Sequence, residues 1–223
     1  PGKAVFLALS GQGPNARNGH QYLEQAYTVG IRNFVVDQEQ TPDLIKLAGA
    51  SVLVVPKVLT ALQAIAAEHR RQWGRPLWAI AGSNGKTQVK EWLTDLVADW
   101  VIPGKTPGSF NSQLGVPLSV LGLQERHPWA VMEAGISKSG EMENHARILK
   151  PDLGLLVHFG PAHREGFEDE AQKLREKLKL FVHSHTLVAR FDAVLRFPGV
   201  WLEHMEKAKS CRFVFWEFQD TEN

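Results

Sequence analysis

Leu77-Trp78-Ala79-Ile80-Ala81-Gly82-Ser83-Asn84-Gly85-Lys86-Thr87 carries an apolar run into a glycine-framed turn that opens on a lysine and a threonine. Read as strand, turn and helix, this is the context a phosphate-binding loop requires. The glycines let backbone N–H groups close around phosphate oxygens, and the helix N-terminus attracts anions. Lys86 can then reach the β and γ phosphates of a nucleotide, and Thr87 can ligate magnesium. Gly82, Ser83, Asn84, Gly85, Lys86 and Thr87 are therefore the candidate nucleotide-binding residues. The generic pattern carries a further glycine where this chain has Ile80, so an ordinary strand-to-helix turn is the alternative.

Working outward toward the C-terminus, apolar runs at 77–81, 129–133 and 153–157 alternate with helical patterns at 86 to about 100 and at 141–149. Such alternation implies a parallel sheet with right-handed crossovers. A long polar helix is expected over 168–181, and residues 187–189 and 212–218 could be further strands.

Toward the N-terminus, short strand-like runs at 5–9, 34–36 and 51–55 flank an amphipathic stretch at 22–29, and a helix is expected over 58–73. Trp73-Gly74-Arg75-Pro76 then breaks the helix, because proline resists helix continuation and restricts the residue before it. The expected organisation is a small α/β domain over residues 1–73 and a nucleotide-binding α/β domain with a mostly parallel sheet over 74–223.

The 25 lysines and arginines against 24 acids leave a formal charge of +1. Broad electrostatic capture of nucleic acid, which needs many clustered phosphate contacts, is not expected. No apolar stretch approaches the roughly 20 residues that cross a bilayer, so no membrane insertion is expected. Cys211 is the single cysteine, which fits a reducing, cytoplasmic setting. Its apolar neighbourhood suggests a buried thiol rather than a nucleophile.

The loop Ala81-Gly82-Ser83-Asn84-Gly85-Lys86-Thr87 with Val89-Lys90-Glu91 resembles that of the Mur ligase family, which likewise lacks the first glycine. The segments Thr106-Pro107-Gly108-Ser109-Phe110-Asn111-Ser112-Gln113-Leu114-Gly115-Val116-Pro117-Leu118, Val131-Met132-Glu133-Ala134-Gly135, Ala162-His163-Arg164-Glu165-Gly166-Phe167 and Glu176-Lys177-Leu178-Lys179-Leu180-Phe181 are similar to family motifs in the same order. In the N-terminal part, Phe6-Leu7-Ala8-Leu9-Ser10-Gly11 followed by Arg17-Asn18-Gly19-His20 resembles the family's UDP-sugar-binding domain.

The resemblance implies an ATP-dependent amide ligase that forms an acyl phosphate, with ATP and Mg2+ as cofactors. Its wording at 110–117 and 133–137 is nearest to the branch acting on UDP-N-acetylmuramoyl-tripeptide and D-alanyl-D-alanine, in the form fused to an alanine racemase. The matched region covers roughly residues 5–181, so the central domain is expected to be incomplete. Glu133 ends an apolar run, and a buried strand would deliver its carboxylate beside the phosphate loop as a magnesium ligand. A helix-capping or surface glutamate is the alternative. The resemblance makes His163 a ligand of a second magnesium and aligns Lys177 with a lysine carried as a carbamate, a third metal-site or catalytic group beside Lys86. It also assigns Asn18, Gly19, His20 and Asn111 to substrate binding. From the residues alone, Asn18-Gly19 could be a tight turn capping the following helix, and Lys173, Lys177 and Lys179 could be solvated. Another Mur-type or folylpolyglutamate-type ligase, or a nucleotide-binding module without turnover, are the competing functions.

Overall fold

The structure, a computed structural model, describes residues 4–11, 17–37, 48–160 and 166–217. The chain packs as two compact units, Pro1–Ile65 and Ala66–Asn223.

The first unit contains β1 (Val5–Leu7), a 3-10 turn (Gly19–Tyr22), α1 (Leu23–Thr28), β2 (Asn33–Asp37) and β3 (Ser51–Val55), followed by α2 (Val58–Trp73). Its strands form one parallel sheet in the order β1-β2-β3. Leu23 and Ala26 of α1 bury against Ala8, Phe34 and Val36. Gly30 closes α1 with φ +96°, a conformation glycine adopts without strain. Asp37 at the end of β2 accepts from the amide of Val58 at 2.7 Å and so caps α2.

The change of unit falls within α2, earlier in the chain than the sequence break at Gly74. The reason lies in the last turns of that helix. Ala66 belongs to the core of the second unit, Arg70 Nε donates to the Leu149 carbonyl at 2.9 Å, and Trp73 Nε1 donates to that of Gln124 at 2.9 Å.

The second unit continues with β4 (Leu77–Ala81), α3 (Lys86–Leu96), β5 (Gly104–Lys105), α4 (Gly115–Leu121), β6 (Ala130–Glu133), α5 (Glu141–Leu149) and β7 (Leu153–Leu156). Then come α6 (Glu170–Leu178) with a closing 3-10 turn (Lys179–Phe181), β8 (Thr186–Arg190), α7 (Phe191–Arg196), α8 (Pro198–Lys207) and β9 (Arg212–Trp216). The six strands form a parallel sheet in the order β5-β6-β4-β7-β8-β9.

Successive residues of β4 serve opposite faces of the sheet, as a strand requires. Leu77, Ala79 and Ala81 join a core with Val116 and Val120 of α4, Met142 of α5, Leu174 of α6 and Trp201 of α8. Trp78 and Ile80 face the other way, toward Val89 and Leu93 of α3. Because both faces are covered, the strand reads as a continuous apolar run. β4 stands between β6 and β7, so the chain leaves it to one side and later returns on the other, and the carboxyl ends of these strands form the crevice that binds ligands in open α/β sheets.

Two expected helices are shorter than their patterns. The first stops at Leu96, where the chain must turn toward β5 through Val101, Ile102 and Pro103, residues that disfavour helix. The other starts at Glu170 because the Asp169 side chain accepts from the Gln172 amide at 2.6 Å as its N-cap. It is not a solvated polar helix, since Lys173, Leu174, Glu176, Lys177 and Leu178 are all buried. Cys211 is half-buried rather than enclosed, with burial pushing its thiol pKa up. No helix among the described residues is long and apolar enough to cross a membrane.

Candidate functional site

The loop between β4 and α3 is shaped by two glycines for different reasons. A Cβ on Gly82, at φ +154°, would lie 2.4 Å from Val157 Cγ2, so this position is set by close approach to the strand beside it. Gly85 lies in open space at φ +84° and is the N-cap of α3, so it is set by backbone conformation. Between them Ser83 ties the loop to the chain after β7. Its amide donates to the His158 carbonyl at 2.8 Å, and its hydroxyl donates to the Gly160 carbonyl at 3.0 Å. Asn84 is exposed at the tip. Lys86 Nζ folds back onto the carbonyls of Gly82 at 3.2 Å and Ser83 at 3.4 Å.

Glu133 ends β6 and is wholly buried. Its Oε2 accepts from the Thr87 hydroxyl at 3.0 Å and from Asn111 Nδ2 at 3.3 Å. The loop residue, the strand-end carboxylate and the Asn111 segment thus meet at one point. Asn111 is further held by the Gly135 amide, which donates to its carbonyl at 2.8 Å. The Nζ of Lys90 stands 3.0 Å from Glu133 Oε1, at an angle that leaves this buried oxygen without a hydrogen bond. A hydroxyl and a carboxylate with an open lone pair form a hard oxygen donor set, which fits magnesium rather than a softer metal. Among the described residues no group of three His, Cys, Asp or Glu converges, so Thr87 and Glu133 would hold a magnesium together with oxygens of the nucleotide.

Lys177 reaches the same loop from α6. Its side chain is buried, and Nζ donates to the Gly82 carbonyl at 2.9 Å, so Lys86 and Lys177 share one acceptor. Burial, with the nearby charges of Lys86 and Lys173 adding, pushes the Lys177 amine down to about 7. Burial likewise lowers Lys86, against the pull of Glu133. Lys177 placed this way keeps a large neutral fraction near neutral pH, and perturbed amines of this kind are concentrated at functional sites.

His163 lies outside the described residues. Asn18, Gly19 and His20 belong to the first unit, where they form one local network. Asn18 Oδ1 accepts from the His20 amide at 3.0 Å and caps the 3-10 turn. His20 Nε2 accepts from the Asp37 amide at 3.1 Å, which leaves the proton on Nδ1 to donate to Asn18 Oδ1 at 2.8 Å. A Cβ on Gly19 would sit 2.7 Å from the Leu9 backbone. These contacts shape the turn.

The motif reading assigns no role to three buried groups around the site. Lys90 donates to the carbonyls of Thr106 at 2.8 Å and Gly108 at 2.5 Å, fastening the Asn111 segment to α3. The Gln113 amide N–H group donates to the Glu141 carbonyl at 3.0 Å and faces His145 Nε2 at 2.9 Å, and burial pushes His145 down to about 4. Lys173 lies one turn before Lys177. The signal for Lys90 is its place beside Val89 and Leu93 on the helix after the loop; for the others the sequence holds none.

A phosphate loop opening a helix at the end of a central parallel strand, with a buried carboxylate on the neighbouring strand end, defines a nucleotide-binding α/β domain. Residues 80–216 match the Mur ligase middle domain, and the chain belongs to the Mur ligase family. Among its relatives, UDP-N-acetylmuramoyl-tripeptide–D-alanyl-D-alanine ligase of Bacillus subtilis is 30% identical over 183 residues, 78% of this chain and 38% of the relative. The enzyme of the same name from Haemophilus influenzae is 32% identical over 182 residues, 80% of this chain and 38% of the relative. The chain therefore spans about two fifths of the length of these curated relatives. The crystal structure of MurF from Acinetobacter baumannii superposes with a TM-score of 0.80 at 27% identity, covering 96% of this chain and 45% of that one. The MurF ligase of Thermotoga maritima, crystallised in complex with ADP, shares the fold with a TM-score of 0.79 at 24% identity, covering 97% of this chain and 48% of that one.

Proposed function

We propose that this chain is the ATP-binding part of a ligase that joins D-alanyl-D-alanine to UDP-N-acetylmuramoyl-tripeptide, in a reducing cytoplasmic compartment. The observation that carries the reading is the convergence of Lys86, Thr87, Glu133 and Lys177 on one loop, in a chain whose relatives bear that enzyme's name.

In this reading the loop amides and Lys86 hold the β and γ phosphates of ATP, releasing Lys86 from the carbonyls of Gly82 and Ser83. The tripeptide carboxylate attacks the γ-phosphorus and ADP departs, giving an acyl phosphate. The amine of D-alanyl-D-alanine then attacks the acyl carbon, phosphate leaves, and the amine proton passes to a base. Both steps concentrate negative charge, so positioned cations are the main source of acceleration. Magnesium, when bound, would neutralise phosphate charge. Thr87 and Glu133 are its proposed ligands, with His163 at a second ion and Lys177, as a carbamate, completing the metal site. Asn111, which donates to Glu133, is proposed to orient substrate there. Asn18, Gly19 and His20 are proposed to shape the turn that receives the UDP-sugar, and an alanine racemase fused to the full-length protein belongs to the same proposal.

Calorimetry with ADP, with and without magnesium, tests the site on this chain. A dissociation constant that magnesium does not change would overturn it. In the full-length protein, phosphate release should require both UDP-N-acetylmuramoyl-tripeptide and D-alanyl-D-alanine; release that ignores either substrate would overturn the assigned reaction.

A further inference from the structure

His145 of α5 is wholly buried, and its two ring nitrogens differ in their surroundings. Nε2 stands 3.0 Å from the Gly135 carbonyl oxygen and 2.9 Å from Gln113 Nε2. Nδ1 is buried without a hydrogen-bond partner among the described residues. Burial keeps the ring uncharged at neutral pH, so one nitrogen carries the proton and the other a lone pair. A proton on Nδ1 would strand a buried N–H and set the Nε2 lone pair against the oxygen of Gly135. With the proton on Nε2 only a lone pair goes unpaired, the less costly defect, and Nε2 donates to Gly135. The Gln113 N–H group keeps the Glu141 carbonyl as its acceptor at 3.0 Å.

Gly135 links that imidazole to the site. Glycine leaves the backbone more freedom than any other residue, and here the peptide groups on both sides of its Cα are held. Its amide donates to the Asn111 carbonyl at 2.8 Å, and its carbonyl accepts from His145. A Cβ at this position would lie 2.7 Å from Asn111 Oδ1, so the Asn111 side chain rests directly on the Gly135 backbone. From there Asn111 Nδ2 donates to Glu133 Oε2 at 3.3 Å. The rest of Glu133 is fixed by other groups, since its amide donates to Thr106 Oγ1 at 2.9 Å and Lys90 stands at Oε1. The turn beyond Gly135 is held separately by Glu141 Oε2, which accepts from the amides of Ser137 at 2.6 Å and Lys138 at 3.0 Å. His145 therefore bears on the end of the turn that meets Asn111.

We propose that His145 is a positioning residue whose hydrogen bond from Nε2 to Gly135 holds Asn111 in the direction that aims Glu133 Oε2 at magnesium. The inference rests on the reading of Glu133 as a magnesium ligand given above. Groups that hydrogen-bond a metal's ligands typically change metal affinity by about 10–100-fold when removed. His145 acts one link further out, through Gly135 and Asn111, so a smaller effect of about fivefold is expected.

The test is calorimetry of ADP binding to this chain with and without magnesium, together with long-range proton–nitrogen NMR of the histidine rings. The His145 ring of the parent, assigned by its loss in His145→Gln, should carry its proton on Nε2. His145→Phe keeps an aromatic ring but removes the donor, and should cut the gain in ADP affinity from magnesium about fivefold. His145→Gln places an amide N–H where Nε2 was, and should stay within about twofold of the parent. ADP affinity without magnesium should be the same in all three, and thermal melting checks that the fold is retained. A parent whose ADP affinity ignores magnesium would overturn the reading of Glu133, and the role of His145 with it. A magnesium gain undiminished in His145→Phe would overturn the role of His145 alone. Equal loss in both variants, with melting unchanged, would show that ring packing rather than the hydrogen bond matters and would also overturn it. So would a proton found on Nδ1, a result read on the parent and independent of how His145→Phe folds.

Discussion

Lys90 of α3 and Glu133 of β6 stand 3.0 Å apart with neither side chain reached by solvent. Lys90 also meets Glu91 Oε1 at 3.0 Å and two main-chain carbonyls, so its ammonium is enclosed by oxygens. Removing one partner of a buried pair strands the other charge, which typically costs about 3–5 kcal/mol. Lys90→Met should therefore destabilise the chain by about that amount in urea unfolding, and adding Glu133→Gln should return a substantial part of the loss. Strictly additive losses in the double variant would show that the pair is not coupled.

Lys86 donates to two carbonyls of its own loop and contributes little to the core. Lys86→Met is expected to weaken ADP binding at least about tenfold, roughly 1.4 kcal/mol or more, while the melting temperature moves by less than about 3 °C. Unchanged nucleotide affinity would remove the phosphate-loop assignment.

Thr87 and Glu133 offer their oxygens to the same point, whereas the turn at Asn18 belongs to the other unit. In Glu133→Gln, Thr87→Val and His163→Ala, the gain in nucleotide affinity on adding magnesium should shrink, with binding of a UDP-sugar unaffected. Parallel losses of both ligands in calorimetry would mean that these residues are structural.

His145 and His204 are both buried, and burial pushes each down to about 4, with Lys207 adding to the effect at His204. An unfolded histidine titrates near 6.5, so above that pH both states are neutral and neither residue alters stability. As pH falls from about 6.5 toward 4 the unfolded chain takes up protons that the folded chain refuses, and stability drops by up to about 3 kcal/mol per histidine. Below about 4 this contribution levels off. His204→Phe, which keeps the aromatic contacts with Trp201 and Phe213, should make the loss between pH 6.5 and 4 shallower. An identical slope would show that His204 does not titrate in this way.

The strand, loop and helix from Leu77 onward were legible because their causes are local. An apolar run wants burial, glycines supply the turn, and Lys86 and Thr87 follow at fixed spacing. The helix Val58–Trp73 and the parallel alternation were readable for the same reason, since period and punctuation lie within short windows. Glu133 was legible because a carboxylate closing a buried strand has one place to go. Helix ends were less legible. Leu96 ends α3 because the chain must reach β5, and that destination is set by the sheet order.

By itself, then, the sequence determined the strand, turn and helix of the loop and the parallel strands that carry it, and it named the residues proposed to act there. Only the tertiary structure decided that Lys90 and Lys173 are buried beside the site rather than solvated on their helices, that the change of unit falls within α2, and that Lys177 shares the carbonyl of Gly82 with Lys86. The physical reason is one of range. A strand or a turn is fixed by interactions between near neighbours, but the burial of a charge depends on what packs over it from elsewhere in the chain. For Lys177 that partner lies 95 residues away.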